Sequence, residues 1–144
     1  MTINNSFFSN RRSVTAKKMT ANPINPEDLE IILAAGIRVP DHGALNPWKL
    51  VVIQGSRLKE LDEEIILTEF KKDNRNASQS EIEIESTRLQ RGGVVIAVLS
   101  MPIDHPKIPL WEMQLSSGAV CMNLLNCAQS VSYTHLTLPT IYSV

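Results

Sequence analysis

Arg11, Arg12 and Ser13 stand side by side near the N-terminus. Two guanidiniums offer bidentate donors to a phosphate, and the hydroxyl adds a third contact. A basic pair in that place also suits a solvated surface. Arg38 and His42 form a second group, flanking Pro40-Asp41 at the end of a predicted helix. Both side chains could donate to a buried anion; equally, Arg38 could cap the negative end of the helix while His42 sits in a loop. A metal site would have to come from Asp41, His42, His105, Cys121 and Cys127. No Cys-x-x-Cys or His-x-x-x-His spacing joins them, so no metal is expected and the cysteines read as small core residues. No Gly-x-Ser-x-Gly elbow, Walker loop or dinucleotide glycine fingerprint is present. Ser116-Ser117-Gly118 reads as a place of close helix packing, and no catalytic residue is predicted.

These residues need elements to position them. The first ten residues are polar and are expected to be loose. Asn25 caps a helix with Pro26 at its first position and Glu27 and Asp28 at its positive end. Leu29, Ile32, Leu33 and Gly36 recur on one face, and Pro40 should end the helix near Arg38. A loop over 40–48 leads into a short buried strand, Leu50-Val51-Val52-Ile53, closed by Gly55. Ser56 caps a second helix with Leu58, Leu61 and Ile65 inside. Residues 71–80 read as a surface loop. Residues 81–85 alternate like a strand, yet Ile82, Ser86 and Leu89 fit a helix, which is the favoured reading, ended by Gly92-Gly93. Residues 94–99 are the strongest strand, continuous enough to be central. After a proline-rich connection a helix runs from Trp111 to Gln129, with so little polar surface that it should be buried in a core or between subunits. Helices flanking apolar strands give an α/β or α+β sandwich.

The 144-residue length fits one domain, large enough for a real core. Fourteen basic and 15 acidic residues leave a net charge of -1, which argues against a dedicated nucleic-acid binder. Apolar residues at 43% and charged residues at 20% describe a globular chain rather than a disordered one. No apolar run reaches the ~18–20 residues of a membrane span. The N-terminus lacks a secretory signal, and the two close cysteines fit a reduced, cytoplasmic setting.

Three stretches in order carry a resemblance. They are Arg11-Arg12-Ser13-Val14, then residues 31–48 with Arg38-Val39-Pro40-Asp41-His42 and Pro47-Trp48, then Lys107-Ile108-Pro109-Leu110-Trp111-Glu112 running on to Ala119. Over roughly Ser9 to Gln129 the chain resembles the FMN-dependent nitroreductases, in particular their small single-domain branch. The resemblance implies an α+β fold, a three-layer sandwich with a central mixed sheet flanked by helices. It implies that Arg11, Arg12 and Ser13 hold the phosphate and ribityl end of FMN, and that Arg38 and His42 contact the flavin of the other subunit. It also implies a homodimer with flavin at the interface. NAD(P)H would give a hydride to the flavin, and a nitroaromatic, quinone or similar small-molecule acceptor would take the electrons. A non-catalytic FMN-binding protein, or an inactive fragment of a nitroreductase, are the alternatives.

The resemblance stops after Gln129. The family continues to a turn bearing glycine and tryptophan, whereas this chain reads through Tyr133, His135, Pro139 and Tyr142 to Val144. The expected division is a partial FMN-binding domain over 1–129 and an unrelated tail over 130–144, leaving the sandwich incomplete at its C-terminus.

Overall fold

The structure, a computed structural model, describes residues 5–15 and 18–133. Its strands are β1 (Trp48–Gln54) and β2 (Val94–Ser100). They pair antiparallel, with Leu50 opposite Val98 and Val52 opposite Ile96. Directly opposed residues share a face, so Trp48, Leu50, Ile96 and Val98 lie on one side of the sheet. Two helices cover that side: α2 (Pro26–Gly36) and α6 (Leu110–Ser130). Ile32 of α2 meets Val120 and Leu124 of α6 in a buried cluster, and the four strand residues pack against it. Val120 is wholly buried, and burying such a side chain contributes about 1.5–3 kcal/mol.

The two helices come close at Gly36. A β-carbon there would lie 2.8 Å from Leu124 Cγ, well inside van der Waals contact. The start of α2 follows from its cap: the Asn25 side chain accepts from the Glu27 amide at 2.9 Å, with Pro26, Glu27 and Asp28 in the first turn. Tyr133 reaches back to the same place. Its hydroxyl donates to Asp28 Oδ2 at 2.9 Å and accepts from the Asn25 amide at 3.1 Å. Val131 and Tyr133 both pack on the core. Residues 134–144, the rest of the segment set apart from 1–129, lie outside the described residues.

Between the strands the chain makes a helical excursion: α3 (Ser56–Leu61), a π turn (Asp62–Ile66), α4 (Leu67–Asp73) and α5 (Gln79–Glu85). Asp62 is completely buried. Its carboxylate accepts from the Leu89 amide at 2.8 Å, the Gln90 amide at 3.1 Å and Gln90 Nε2 at 3.0 Å. Ser78 and Glu81 form a capping box that starts α5.

Several local expectations need correction. Residues Asn5–Asn10 form a helix, α1, in which Phe7 and Phe8 meet edge to face at 5.2 Å. The stretch 71–80 is not all loop, because α4 runs through Asp73 and α5 begins at Gln79. The helix over 81–90 ends at Glu85, and the following turns are held by Asp62. Gly93 therefore ends no helix. It lies where the backbone carbonyl of Asn22 comes too close for any β-carbon. β2 is half-buried rather than fully covered on both faces. With helices packed on a small antiparallel sheet, the architecture is α+β, as expected.

Candidate functional site

α6 is not uniformly apolar, and its polar residues matter most. Glu112, Ser116 and Asn123 recur at i, i+4 and i+11, one stripe of a helix. Each holds part of the chain leaving α2. Asn123 Nδ2 donates to the carbonyl of Arg38 at 2.9 Å and of Ala35 at 3.3 Å. The Ser116 hydroxyl donates to the Pro40 carbonyl at 3.0 Å. Glu112 Oε2 lies 2.6 Å from His42 Nδ1. One residue off the stripe, the buried Ser117 hydroxyl donates to the Pro47 carbonyl at 2.9 Å. These bonds tie carbonyls of the chain after α2 to polar side chains of α6. They fix the backbone from Arg38 to Pro47 along α6 between Glu112 and Asn123.

The loop is also rigid within itself. Gly43, Ala44 and Asn46 have φ of 77°, 52° and 49°, the left-handed region. Alanine enters it at a cost and asparagine tolerates it. Glycine suits 43 for a second reason: a β-carbon there would lie 2.7 Å from Ile108 Cδ1, and that side chain would have to shift. The Asp41 carboxylate accepts from the Asn46 amide at 2.7 Å, and Asn46 Nδ2 donates to the Ala44 carbonyl at 3.0 Å. Ile108 in turn is seated by His105, whose Nδ1 accepts from the Ile108 amide at 3.0 Å and the Lys107 amide at 3.3 Å.

Beside this loop lies an open depression of about 320 Å³, lined by Pro40, His42, Glu112, Leu115, Ser116 and Ala119. The lining mixes the polar side chains of His42, Glu112 and Ser116 with the apolar ones of Pro40, Leu115 and Ala119. Glu112 occupies the first turn of α6, where the helix dipole favours its charge. The structure thus brings His42 into a pocket with Glu112. Arg38 is fixed through its backbone, and its side chain is exposed. Arg11, Arg12 and Ser13 follow α1 and do not line the depression. Arg12 Nη1 donates to the carbonyls of Ser9 at 2.9 Å and Arg11 at 2.7 Å.

Among the described residues no three His, Cys, Asp or Glu side chains converge as metal ligands do. Cys121 and Cys127 are both free thiols, and burial pushes the Cys121 thiol above its ordinary value. No described helix is long and apolar enough to cross a membrane. The residues that sequence reasoning missed are Glu112, Ser117 and Asn123 as anchors, and Ser116 as more than a small packing residue. Their signal was available as a polar stripe on an otherwise apolar helix.

The chain is similar to known proteins in both sequence and fold. A model of the nitroreductase family matches residues 8–133. A Haemophilus influenzae protein bearing the name "Putative NAD(P)H nitroreductase" is 32% identical over 124 residues, 83% of this chain and 64% of that protein. The chain therefore spans a little under two thirds of the length of that relative. Among solved structures, a nitroreductase-like protein from Bacillus cereus shares the fold with a TM-score of 0.72 at 23% identity, over 91% of this chain and 68% of that one. A Bacteroides fragilis nitroreductase crystallised with bound FMN does so with a TM-score of 0.63 at 18% identity, over 90% and 66%. The family match runs from before Arg11 to beyond the last turn of α6, and on that ground the chain belongs to the nitroreductase family.

Proposed function

We propose that this chain acts as an FMN-dependent NAD(P)H oxidoreductase of nitroreductase type. One observation carries the reading: in a chain of this family, α6 clamps the loop that bears Arg38 and His42 beside an open, half-apolar depression. The donor set suits FMN. Its phosphate carries a charge of about -1.5 to -2 and needs several cationic donors to leave water. Arg11, Arg12 and Ser13 would hold that phosphate. Arg12 commits Nη1 to two neutral carbonyls, which leaves its charge intact and its other N–H groups for an anion. Arg38 and His42 would meet the flavin bound to a neighbouring subunit.

When bound, FMN supplies the redox chemistry, accepting reducing equivalents from NAD(P)H and passing them to a nitroaromatic, quinone or similar small acceptor. This chain's own residues bind, orient and exclude water. Leu115 and Ala119 provide apolar lining in the depression. Trp111, Leu115 and Met122 are 58%, 65% and 48% exposed and lie at helical spacing on α6. A homodimer that buries this stripe would cover them, as obligate interfaces do. The same reading takes the protein as cytoplasmic, with its thiols reduced.

Steady-state oxidation tests it. The full chain, incubated with FMN and then with NADH or NADPH, should consume the nucleotide when a nitroaromatic or a quinone is added. Consumption should stop when FMN is omitted. Stoichiometric FMN binding without oxidation of either nucleotide would instead identify a non-catalytic flavin-binding protein.

A further inference from the structure

We propose that Glu112 is a positioning residue for His42: its carboxylate fixes the imidazole through Nδ1 and so presents Nε2 as the nitrogen that serves the flavin. The proposal rests on the FMN reading above. Its structural basis is the 2.6 Å contact between Glu112 Oε2 and His42 Nδ1, made across 70 residues of sequence. An ionised carboxylate only accepts, so the contact calls for hydrogen on Nδ1. The opposite ring nitrogen, Nε2, then has a defined state: an acceptor when the ring is neutral and a donor when it is charged.

An exposed ion pair usually contributes little, because two long side chains must be held in one geometry. Here the backbone on both sides is already held. Glu112 sits in the first turn of a 21-residue helix, and its side chain is only 29% exposed against 62% for His42. One turn on, Ser116 ties the same helix to the Pro40 carbonyl. On the loop side, Asp41 holds the Asn46 amide. The carboxylate is therefore the fixed partner, and the imidazole is the group whose freedom it removes. Without Glu112 the ring would be free to turn, and a neutral imidazole would revert to its ordinary preference for hydrogen on Nε2.

Two readouts on the full chain test this. Nitrogen NMR of the isotope-labelled histidine rings, in protein without flavin and at a pH where the rings are neutral, reports which nitrogen carries hydrogen. The His42 signal is assigned by its loss in His42→Ala. The wild-type ring should carry hydrogen on Nδ1, and Glu112→Ala should shift it to Nε2. Glu112→Gln keeps the size of the side chain but can donate as well as accept, so it should fold as wild type while no longer enforcing hydrogen on Nδ1, which separates positioning from a folding defect. FMN titration should then show Glu112→Ala weakened about tenfold, as loss of one ordered polar contact predicts. An unchanged tautomer in Glu112→Ala would overturn the proposal. So would a shifted tautomer with FMN affinity within twofold of wild type. If the tautomer shifts but the wild-type chain binds no FMN, the flavin reading has failed and the proposal falls with it. The intact NMR result tells that failure from the first.

Discussion

Replacing Asp62 should destabilise the whole domain, although the residue is far in sequence from every proposed ligand contact. Its side chain is fully buried and accepts three hydrogen bonds, from the Leu89 and Gln90 amides and from Gln90 Nε2. These bonds tie the π turn after α3 to the turns that precede β2. In Asp62→Asn one oxygen can still serve Leu89. The new amide group, however, would face the two Gln90 donors, which in the native chain donate to Asp62 Oδ2 at 3.1 Å and 3.0 Å. Leaving buried donors unsatisfied costs about 1–3 kcal/mol each, so two of them put Asp62→Asn at about 2 kcal/mol or more. Asp62→Ala loses all three bonds and adds a small cavity, so about 3–5 kcal/mol is expected. A domain of this size has only about 5–15 kcal/mol in total. Urea unfolding measures the loss as a lower midpoint at unchanged slope, and hydrogen exchange should accelerate at the Leu89 and Gln90 amides. An Asp62→Asn chain within about 0.5 kcal/mol of wild type, the range of an ordinary surface change, would refute the reasoning.

Gly36 and Leu124 should be strongly coupled. Gly36→Ala crowds Leu124 and should cost about 1–3 kcal/mol, whereas the double change with Leu124→Ala should cost less than the sum of the two by at least about 0.5 kcal/mol; additive losses in urea would contradict this. Gly93→Ala should yield little soluble protein, because its β-carbon would enter the Asn22 backbone, and a wild-type melting curve would refute it. The capping box sets a pH dependence: the Ser78 hydroxyl and amide hold the Glu81 carboxyl below its ordinary value near 4.5. Its contribution is therefore present above that pH and is lost as pH falls through the lowered value. The stability deficit of Glu81→Ala measured at neutral pH should shrink in acid below about pH 4.5, and a deficit constant with pH would argue against the assignment.

Local signals predicted local structure well. Asn25, Pro26 and the apolar recurrence at Leu29, Ile32 and Leu33 anticipate α2, and the apolar runs at 50–53 and 94–99 anticipate the two strands to within two residues at either end. The helix expected from Trp111 to Gln129 is α6 with one residue added at each end. What could not be read was which distant group each polar residue meets. Periodicity says that Glu112, Ser116 and Asn123 share a face, but not that Arg38, Pro40 and His42 lie opposite. Those partners are 70 to 85 residues away. Asp62 is the sharper case, because a charged residue in a solvent-facing pattern gives no hint of complete burial. The N-terminal helix was missed for a different reason. α1 is six residues long, too short for its sequence pattern to stand out against a polar background.

At the site, the sequence pattern located His42 and Arg38 on one loop, and the structure adds what holds them. The loop lies largely at the surface, and its left-handed residues and its ties to α6 give it a defined path. Sites built on well-supported elements keep their geometry better than sites on free loops. That is why the anchors on α6 matter to function as well as to stability.

The central claim is that Arg11, Arg12, Ser13, Arg38 and His42 form an FMN site. The most direct test is titration of the full chain with FMN, followed by flavin fluorescence, for wild type, Arg12→Ala and His42→Ala. The account predicts saturable binding of one FMN per chain. Affinity should fall roughly tenfold to a hundredfold in Arg12→Ala, the equivalent of one charge-assisted hydrogen bond, and His42→Ala should also be weakened. Absence of saturable binding in the wild type, or equal affinity in all three chains, would contradict it.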